Sequence, residues 1–327
     1  MIQHIIFFIS TMIIHKANDI TKNVLSELEH SEDARFKEIM CSAVKHLHAF
    51  VKETRLSEAE YQRICQVIAK LGQKTNEFHN EVVLAGGSLG VSALVCLINN
   101  GNSSDDEQSQ TTANMLGPFW RDGSPLTTNG ANLARGATKG DPIFVKAWVK
   151  DTSGQPVAGA MVDVWHTSAE GFYENQDPSQ VDMNLRGRFM TDEQGLIEFR
   201  SVKPAGYPIP VDGPVGELLR MQGRHNMRPA HIHFLINKEG YKTQFSQVYS
   251  SDDPHIHSDV QFGVTHSLLA HYERHQGPGP QSDIKGDWYT LEHTFVINKG
   301  EARLPRAPIQ GKNTGELPEQ VILRANH

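Results

Sequence analysis

The chain has 327 residues, 38% of them hydrophobic and 21% charged, with a formal net charge of -7. That length supports one large domain or two modest ones, and the negative balance leaves no surplus of positive charge for a nucleic-acid partner. Cys41, Cys65 and Cys96 are widely spaced and form no Cys-x-x-Cys pair, which excludes a disulfide framework and a zinc ribbon and suits a reducing, cytoplasmic compartment.

Met1–Ile14 is apolar but lacks a basic start and a small-residue cleavage site, and it is too short to span a bilayer. It is read as an N-terminal extension, either packed on a partner or loose, with a secretory signal as the lesser alternative. The next stretch is helical. Phe36, Met40, Val44, Leu47 and Val51 recur every three or four residues, one stripe of a helix. Ser57-Glu58-Ala59-Glu60 is a capping box opening a second helix whose face is Tyr61, Ile64, Val67, Ile68 and Leu71. A third runs from Leu89 to Ile98, and Gly86-Gly87 before it predict a turn or a close backbone approach. The polar, acidic stretch from Asn99 to Gln110 is a loop.

After Asn114 the hydrophobic period changes from helical to alternating. Ile143, Val145, Ala147 and Val149 mark a half-buried strand, and Met161–Trp165, Leu196–Arg200, His231–Ile236, Gln247–Tyr249 and Tyr289–Ile297 continue the series. Several short strands separated by turn signals imply a β-sandwich or barrel. The connection from Pro204 to Asn226 is longer than a hairpin needs, as functional loops often are. The tail after Gly300, rich in Pro, Gly and charge, wraps the surface. The chain contains no internal repeat.

Four residues stand out chemically. His231 and His233 are two apart on a strand, so both imidazoles point to one face and can offer nitrogen ligands to one transition metal; the plain alternative is a pair of surface histidines. Tyr173 follows the strand that carries Trp165 and His166, and Tyr207 lies among Pro204, Pro208 and Pro210, which restrict its backbone. Their ordinary role is packing with a bonded hydroxyl. As phenolates beside two neutral imidazoles, they form a hard donor set that favours Fe(III). His255 and His257 sit in a turn, where a solvated loop is the simpler reading and a four-histidine Zn or Cu(II) site with His231 and His233 the sharper one.

Leu89–Val95, Leu116-Gly-Pro-Phe-Trp120, Asp163-Val-Trp-His166, Gly171-Phe-Tyr173, Leu185-Arg-Gly-Arg188, Gly206-Tyr-Pro208 and Arg228-Pro-Ala-His-Ile-His233 together resemble the intradiol ring-cleaving dioxygenases, in the catechol and hydroxyquinol 1,2-dioxygenase branch. The resemblance spans roughly Ala34 to Asn298. It implies a mainly β fold: a β-sandwich catalytic domain (115–327, with the tail) behind an N-terminal extension and helical linker or dimerisation domain (1–114). It implies one Fe(III) per chain on Tyr173, Tyr207, His231 and His233, and no organic cofactor. Arg228, Tyr207 and Gln247 fall on catalytic positions, and Leu84, Gly87, Met115, Gly117, Pro118 and Phe119 on the substrate pocket.

The implied reaction opens hydroxyquinol or catechol with O2 between the two hydroxyl-bearing carbons, through a cyclic anhydride, to a (hydroxy)-cis,cis-muconate that keeps both oxygen atoms. The implied assembly is a homodimer through the N-terminal helices with bound phospholipid. Gly87 stands where hydroxyquinol enzymes tend to carry Asp, which implies an open, permissive pocket, and Gln247 matches the catechol enzymes. Asp212–Leu219 and Gly223-Arg-His225 match the hydroxyquinol enzymes. The alternatives are a catechol or substituted catechol as main substrate, a transthyretin-like binding module, or a non-enzymatic Zn or Cu sandwich.

Overall fold

The computed structural model of the protein describes residues 12–99 and 111–325. Most of the apolar extension and nearly all of the acidic loop lie outside these residues. Contacts divide the chain into two compact units, Met1–Ile68 and Ala69–His327. Compactness thus parts the chain within a helix, whereas the change of period near Asn114 marks where helices give way to strands.

The first unit is helical. It contains α1 (Ala17–Leu28), α2 (Ala34–Thr54) and the start of α3 (Glu58–Lys74). Asp33 caps α2 by accepting from the backbone N–H groups of Arg35 and Phe36, both at 2.9 Å. The expected capping box opens α3: Ser57 N–H donates to Glu60 Oε2 at 2.9 Å and Glu60 N–H to Ser57 Oγ at 3.3 Å. None of these helices buries a side chain. On α2, Phe36 and Leu47 of the predicted stripe are 51% and 61% exposed.

After the end of α3, the second unit carries α4 (Glu81–Ser88) and α5 (Val91–Asn99), which bend by 76° at their junction. Gly86 and Gly87 therefore lie inside a helix and do not form a turn. The bend falls at Leu89-Gly90, where Gly90 takes φ +73°. No single helix among the described residues is long and apolar enough to cross a membrane.

Among the described residues eleven strands follow, all in the second unit. One sheet runs β10 (Glu273–Gln276), β11 (Asp287–Ile297), β1 (Pro142–Asp151), β4 (Leu196–Val202). The other runs β3 (Arg186–Met190), β2 (Met161–His166), β7 (His231–Asn237), β8 (Gln244–Ser250), β9 (Leu269–Ala270). β1 and β11 pair in parallel, Ile143 opposite Tyr289. A two-residue pair, β5 (Tyr207–Pro208) with β6 (Met227–Arg228), sets Tyr207 opposite Arg228. The sandwich core is built from one face of each sheet, including Ile143, Val145, Ala147 and Val149 of β1, Leu291 and Phe295 of β11, Val162 and Val164 of β2, and Ile232, Phe234 and Ile236 of β7. Alternation then turns His231, His233 and Leu235 to the opposite face of β7. A second cluster gathers there, with Leu235, Leu84, Phe119, Trp165, Tyr173 and Tyr207 among its members.

The long connection expected as loop between Pro204 and Asn226 contains α6 (Pro214–Met221). Pro214 starts it at a position where a missing N–H costs nothing, and Val215 and Leu219, four residues apart, are buried. Glu81, fully buried, ties α4 to α6. Its Oε1 accepts from Val215 N–H at 3.0 Å, and its Oε2 lies 2.6 Å from His79 Nε2. The C-terminal tail lies along this unit as expected, with Asn313 N–H donating to Asn175 O at 2.7 Å and Leu323 N–H to Asn226 Oδ1 at 2.9 Å.

Glu81→Ala strips the Val215 N–H of its acceptor in a buried site, a loss worth about 2 kcal/mol. We expect that loss in urea denaturation of the variant; an unchanged midpoint would mean water replaces the carboxylate at the start of α6.

Candidate metal centre

The four singled-out side chains converge. Tyr173, in the loop after β2, places its Oη 2.9 Å from His233 Nε2, 3.3 Å from His231 Nε2 and 3.3 Å from Tyr207 Oη. The two imidazole Nε2 atoms are 3.2 Å apart. All four residues are 1–3% exposed. Three of them are held from behind. His231 Nδ1 lies 2.7 Å from Pro229 O, and because a carbonyl only accepts, Nδ1 carries the proton and Nε2 keeps a free lone pair. Trp165, cross-strand partner of His233, stacks on its ring at 4.5 Å with 11° between planes. Phe119 stacks on Tyr173 at 4.5 Å.

Burial decides the charges. It pushes His231 down to about 3 and His233 well below the ordinary histidine range, so both rings are neutral at pH 7. The same burial, reinforced by neighbouring Tyr207, raises Tyr173 far above the ordinary phenol value. A phenolate therefore needs a cation at its oxygen. The donor separations fit one: metal bonds of about 2.0–2.1 Å place neighbouring ligand atoms about 2.9–3.4 Å apart in tetrahedral or octahedral geometry. Among the described residues, no group of three or more His, Cys, Asp and Glu side chains could hold a metal ion, so the four-histidine reading fails. His257 is exposed and His255 packs instead against His225, with ring centroids 5.1 Å apart.

Arg228 is 1% exposed and forms a two-point ion pair with Asp259, Nε to Oδ1 at 3.0 Å and Nη2 to Oδ2 at 2.9 Å. Nη2 also donates to Gln247 Oε1 at 2.9 Å and Tyr249 Oη at 2.8 Å. Burial by itself lowers the arginine's pKa, but the Asp259 charge overrides it and the net shift is upward. Burial likewise works against the Asp259 carboxylate, and Arg228 with two backbone N–H groups wins, leaving it below the ordinary range. Gln247 completes the contact by donating from Nε2 to Met115 O at 2.7 Å.

The structure brings the expected pocket residues to this place by different routes. Leu84 belongs to the same apolar cluster as Tyr173 and Tyr207. Gly117, at φ +76°, lets the backbone approach His233: a Cβ there would lie 3.3 Å from the ring Cε1. Met115, Pro118 and Phe119 are buried beside it. The open space expected at Gly87 is absent, because a Cβ there would meet Gln261 Cδ at 2.9 Å. Residue-by-residue reading missed Asp259, Tyr249 and Gln261. Tyr249 carries a detectable signal, two residues from Gln247 on one strand face. Asp259 and Gln261 lie outside any strand or helix, where no period marks them.

The family model Dioxygenase matches residues 115–290, and Catechol dioxygenase N terminus matches residues 33–107. The hydroxyquinol 1,2-dioxygenase of Rhizobium sp. (strain MTP-10005) is 40% identical over 84% of this chain and 93% of its own. The 6-chlorohydroxyquinol 1,2-dioxygenase of Cupriavidus pinatubonensis is 38% identical over 86% and 97%. Among solved structures, the hydroxyquinol 1,2-dioxygenase of Pseudomonas putida DLL-E4 superposes with a TM-score of 0.77 at 38% identity, covering 87% of this chain and 99% of that one.

Asp259→Asn leaves the Arg228 charge buried without its counter-ion, and we expect a loss of about 3–5 kcal/mol in denaturant titrations at pH 7. In the wild type the pair's contribution is complete above about pH 4, the ordinary aspartate value, and is lost as pH falls through the lower folded-state value of Asp259. The gap between wild type and variant should therefore narrow in acid; a gap constant down to pH 2 would contradict the assignment.

Proposed function

This chain belongs to the intradiol ring-cleaving dioxygenase family, and we propose that it cleaves hydroxyquinol in preference to catechol, with Fe(III) held by Tyr173, Tyr207, His231 and His233. The convergence of four buried side chains, with Tyr173 Oη 2.9–3.3 Å from each of the other three donor atoms and the two Nε2 atoms 3.2 Å apart, carries this reading. When bound, the Fe(III) supplies Lewis acidity that lowers the pKa of the two substrate hydroxyls. Neutral imidazoles and two phenol oxygens suit a trivalent, oxygen-preferring ion better than Zn or Cu(II). The names of the relatives at 40% and 38% identity favour hydroxyquinol-type rings.

The side chains then have distinct tasks. Tyr207, as a phenolate when the metal is held, would offer its Oη as acceptor for a proton from a substrate hydroxyl. Arg228, fixed by Asp259 and Gln247, presents its guanidinium to the negative charge that develops on the ring during oxygen attack. Being locked before the reaction, it needs no reorganisation at that moment. Leu84, Met115 and the Gly117–Phe119 backbone wall the ring site with apolar surface and exclude water. The product is hydroxy-cis,cis-muconate.

The same reading gives a homodimer joined by the helices, with phospholipid between them, working in the cytoplasm. Exposed apolar residues support the first part: Phe36 and Leu47 on α2, Tyr61 and Ile68 on α3, Leu94 and Ile98 on α5. The three free cysteines suit a reducing compartment.

The decisive test combines metal analysis with turnover. The isolated enzyme should hold one iron per chain, be red from phenolate-to-iron charge transfer, and place both atoms of 18O2 in the product, with a higher kcat/KM on hydroxyquinol than on catechol. His231→Ala and Tyr207→Phe should lose iron and colour together. Stoichiometric zinc in a colourless protein that consumes no O2 would overturn the reading.

A further inference from the structure

We propose that the C-terminal tail, through Asn313 and Gln320, is a positioning element of the metal centre: it staples the loop that carries Tyr173 to the segment that carries Tyr207, and so sets how long the iron is held. This rests on the reading that both tyrosines are ligands. The two lie thirty-four residues apart in the chain, yet their Oη atoms are 3.3 Å from one another. Their segments are tied together at the roots, where Ala205 N–H donates to Ser168 O at 3.4 Å and Thr167 Oγ1 to Ala205 O at 3.1 Å. Past the roots, the tail supplies further links.

The tail forms neither strand nor helix from Glu301 to Ala325 and meets this face twice. Ala307 and Ile309 pack on the apolar cluster of Leu84, Tyr173 and Tyr207, and Leu323 rejoins the same cluster later. Between them the chain runs along the Tyr173 loop. Lys312 Nζ donates to Gln180 O, Asn313 N–H to Asn175 O at 2.7 Å, and Asn313 Nδ2 to Gln176 O at 3.1 Å. Gln176 in turn holds the ligand's own backbone. Its Oε1 accepts from Tyr173 N–H at 3.1 Å, and its N–H donates to Tyr173 O at 2.9 Å.

Gln320 then bridges the two segments. Its Nε2 donates to Glu170 O at 3.1 Å and to Gly171 O at 3.3 Å. Gly171, two residues before Tyr173, has φ +82°, and a Cβ there would meet Tyr207 Cβ at 3.1 Å and Gln320 Nε2 at 3.2 Å. The glycine is thus the point where both tyrosine segments and the tail touch. One residue on, Val321 O accepts from Asn226 Nδ2 at 2.9 Å, and Leu323 N–H donates to Asn226 Oδ1 at 2.9 Å. Asn226 is fully buried and also donates from Nδ2 to Ile209 O at 2.8 Å, two residues after Tyr207. A buried amide whose partners come from two segments fixes one against the other. Partners behind a ligand commonly govern metal affinity by about tenfold or more.

The test uses the full-length, iron-loaded enzyme and reads iron retention and colour. Gln320 is exposed and Asn313 half-buried, so the double variant Asn313→Ala/Gln320→Ala removes no core side chain. We expect it to release iron to deferoxamine about tenfold faster or more, with a displaced phenolate-to-iron charge-transfer band and an unchanged urea midpoint for the metal-free protein. Gln320→Glu keeps the length but exchanges the donating amide for a carboxylate, and should act as Gln320→Ala does. A release rate and a band that both stay at wild-type values would overturn the proposal. So would faster release matched by an equal loss of stability in the metal-free protein, which would make the tail a packing element only. Wild-type enzyme that binds no iron overturns the functional reading itself and takes this assignment with it.

Discussion

The two-residue repeat of β7 is the constraint on which both the fold and the centre depend. Ile232, Phe234 and Ile236 enter the core between the sheets, and the intervening His231 and His233 are thereby forced to the other face with their Nε2 atoms 3.2 Å apart. A slip of one residue would put imidazoles into the apolar core and isoleucine among the donor atoms. The register that stabilises the sandwich is thus the register that assembles the centre. Trp165 enters by the same rule, since its cross-strand position opposite His233 stacks it on that ring.

Burial then does chemical work that geometry alone does not. Desolvation keeps both imidazoles neutral and therefore able to donate lone pairs, and it keeps Tyr173 protonated until a cation compensates its charge. Arg228, a permanent cation beside the centre, avoids the penalty of isolation by pairing with Asp259 at two points. Because the carboxylate takes Nε and shares Nη2 with Gln247 and Tyr249, the guanidinium has little freedom to rotate. Structural pairing and a proposed catalytic task are compatible here: the pair that neutralises the arginine also aims it.

The cover over this face comes from segments far apart in sequence. α4 is pinned to α6 through Glu81 and to the segment after Asp259 through Arg224. Gly87 and Gln261 fit one another within that junction, and Gly117 allows the chain to pass against His233. Two close approaches in the region are thus made possible by glycines, where any larger residue would push a ligand ring or a buried amide aside.

Local period and motif spacing determined much of this protein before any coordinates. The helical stripe of α2, the capping box of α3, the alternating strand at Ile143–Val149 and the His231–His233 face are local properties, set by i, i+3, i+4 or i, i+2 geometry, and the structure contains each of them. The strings around Tyr173, Tyr207 and Arg228 carried the family. What the sequence could not determine are relations between segments with no shared period: the partner of Arg228, thirty-one residues away in an irregular loop; the helix within Pro204–Asn226; and the filling of the space at Gly87. Reading Gly87 by itself predicts a void, because an absent side chain looks the same whether the space is empty or occupied from elsewhere. Only the tertiary structure decides that, since close packing is a property of the atoms meeting at a point and not of the order in which the chain supplies them.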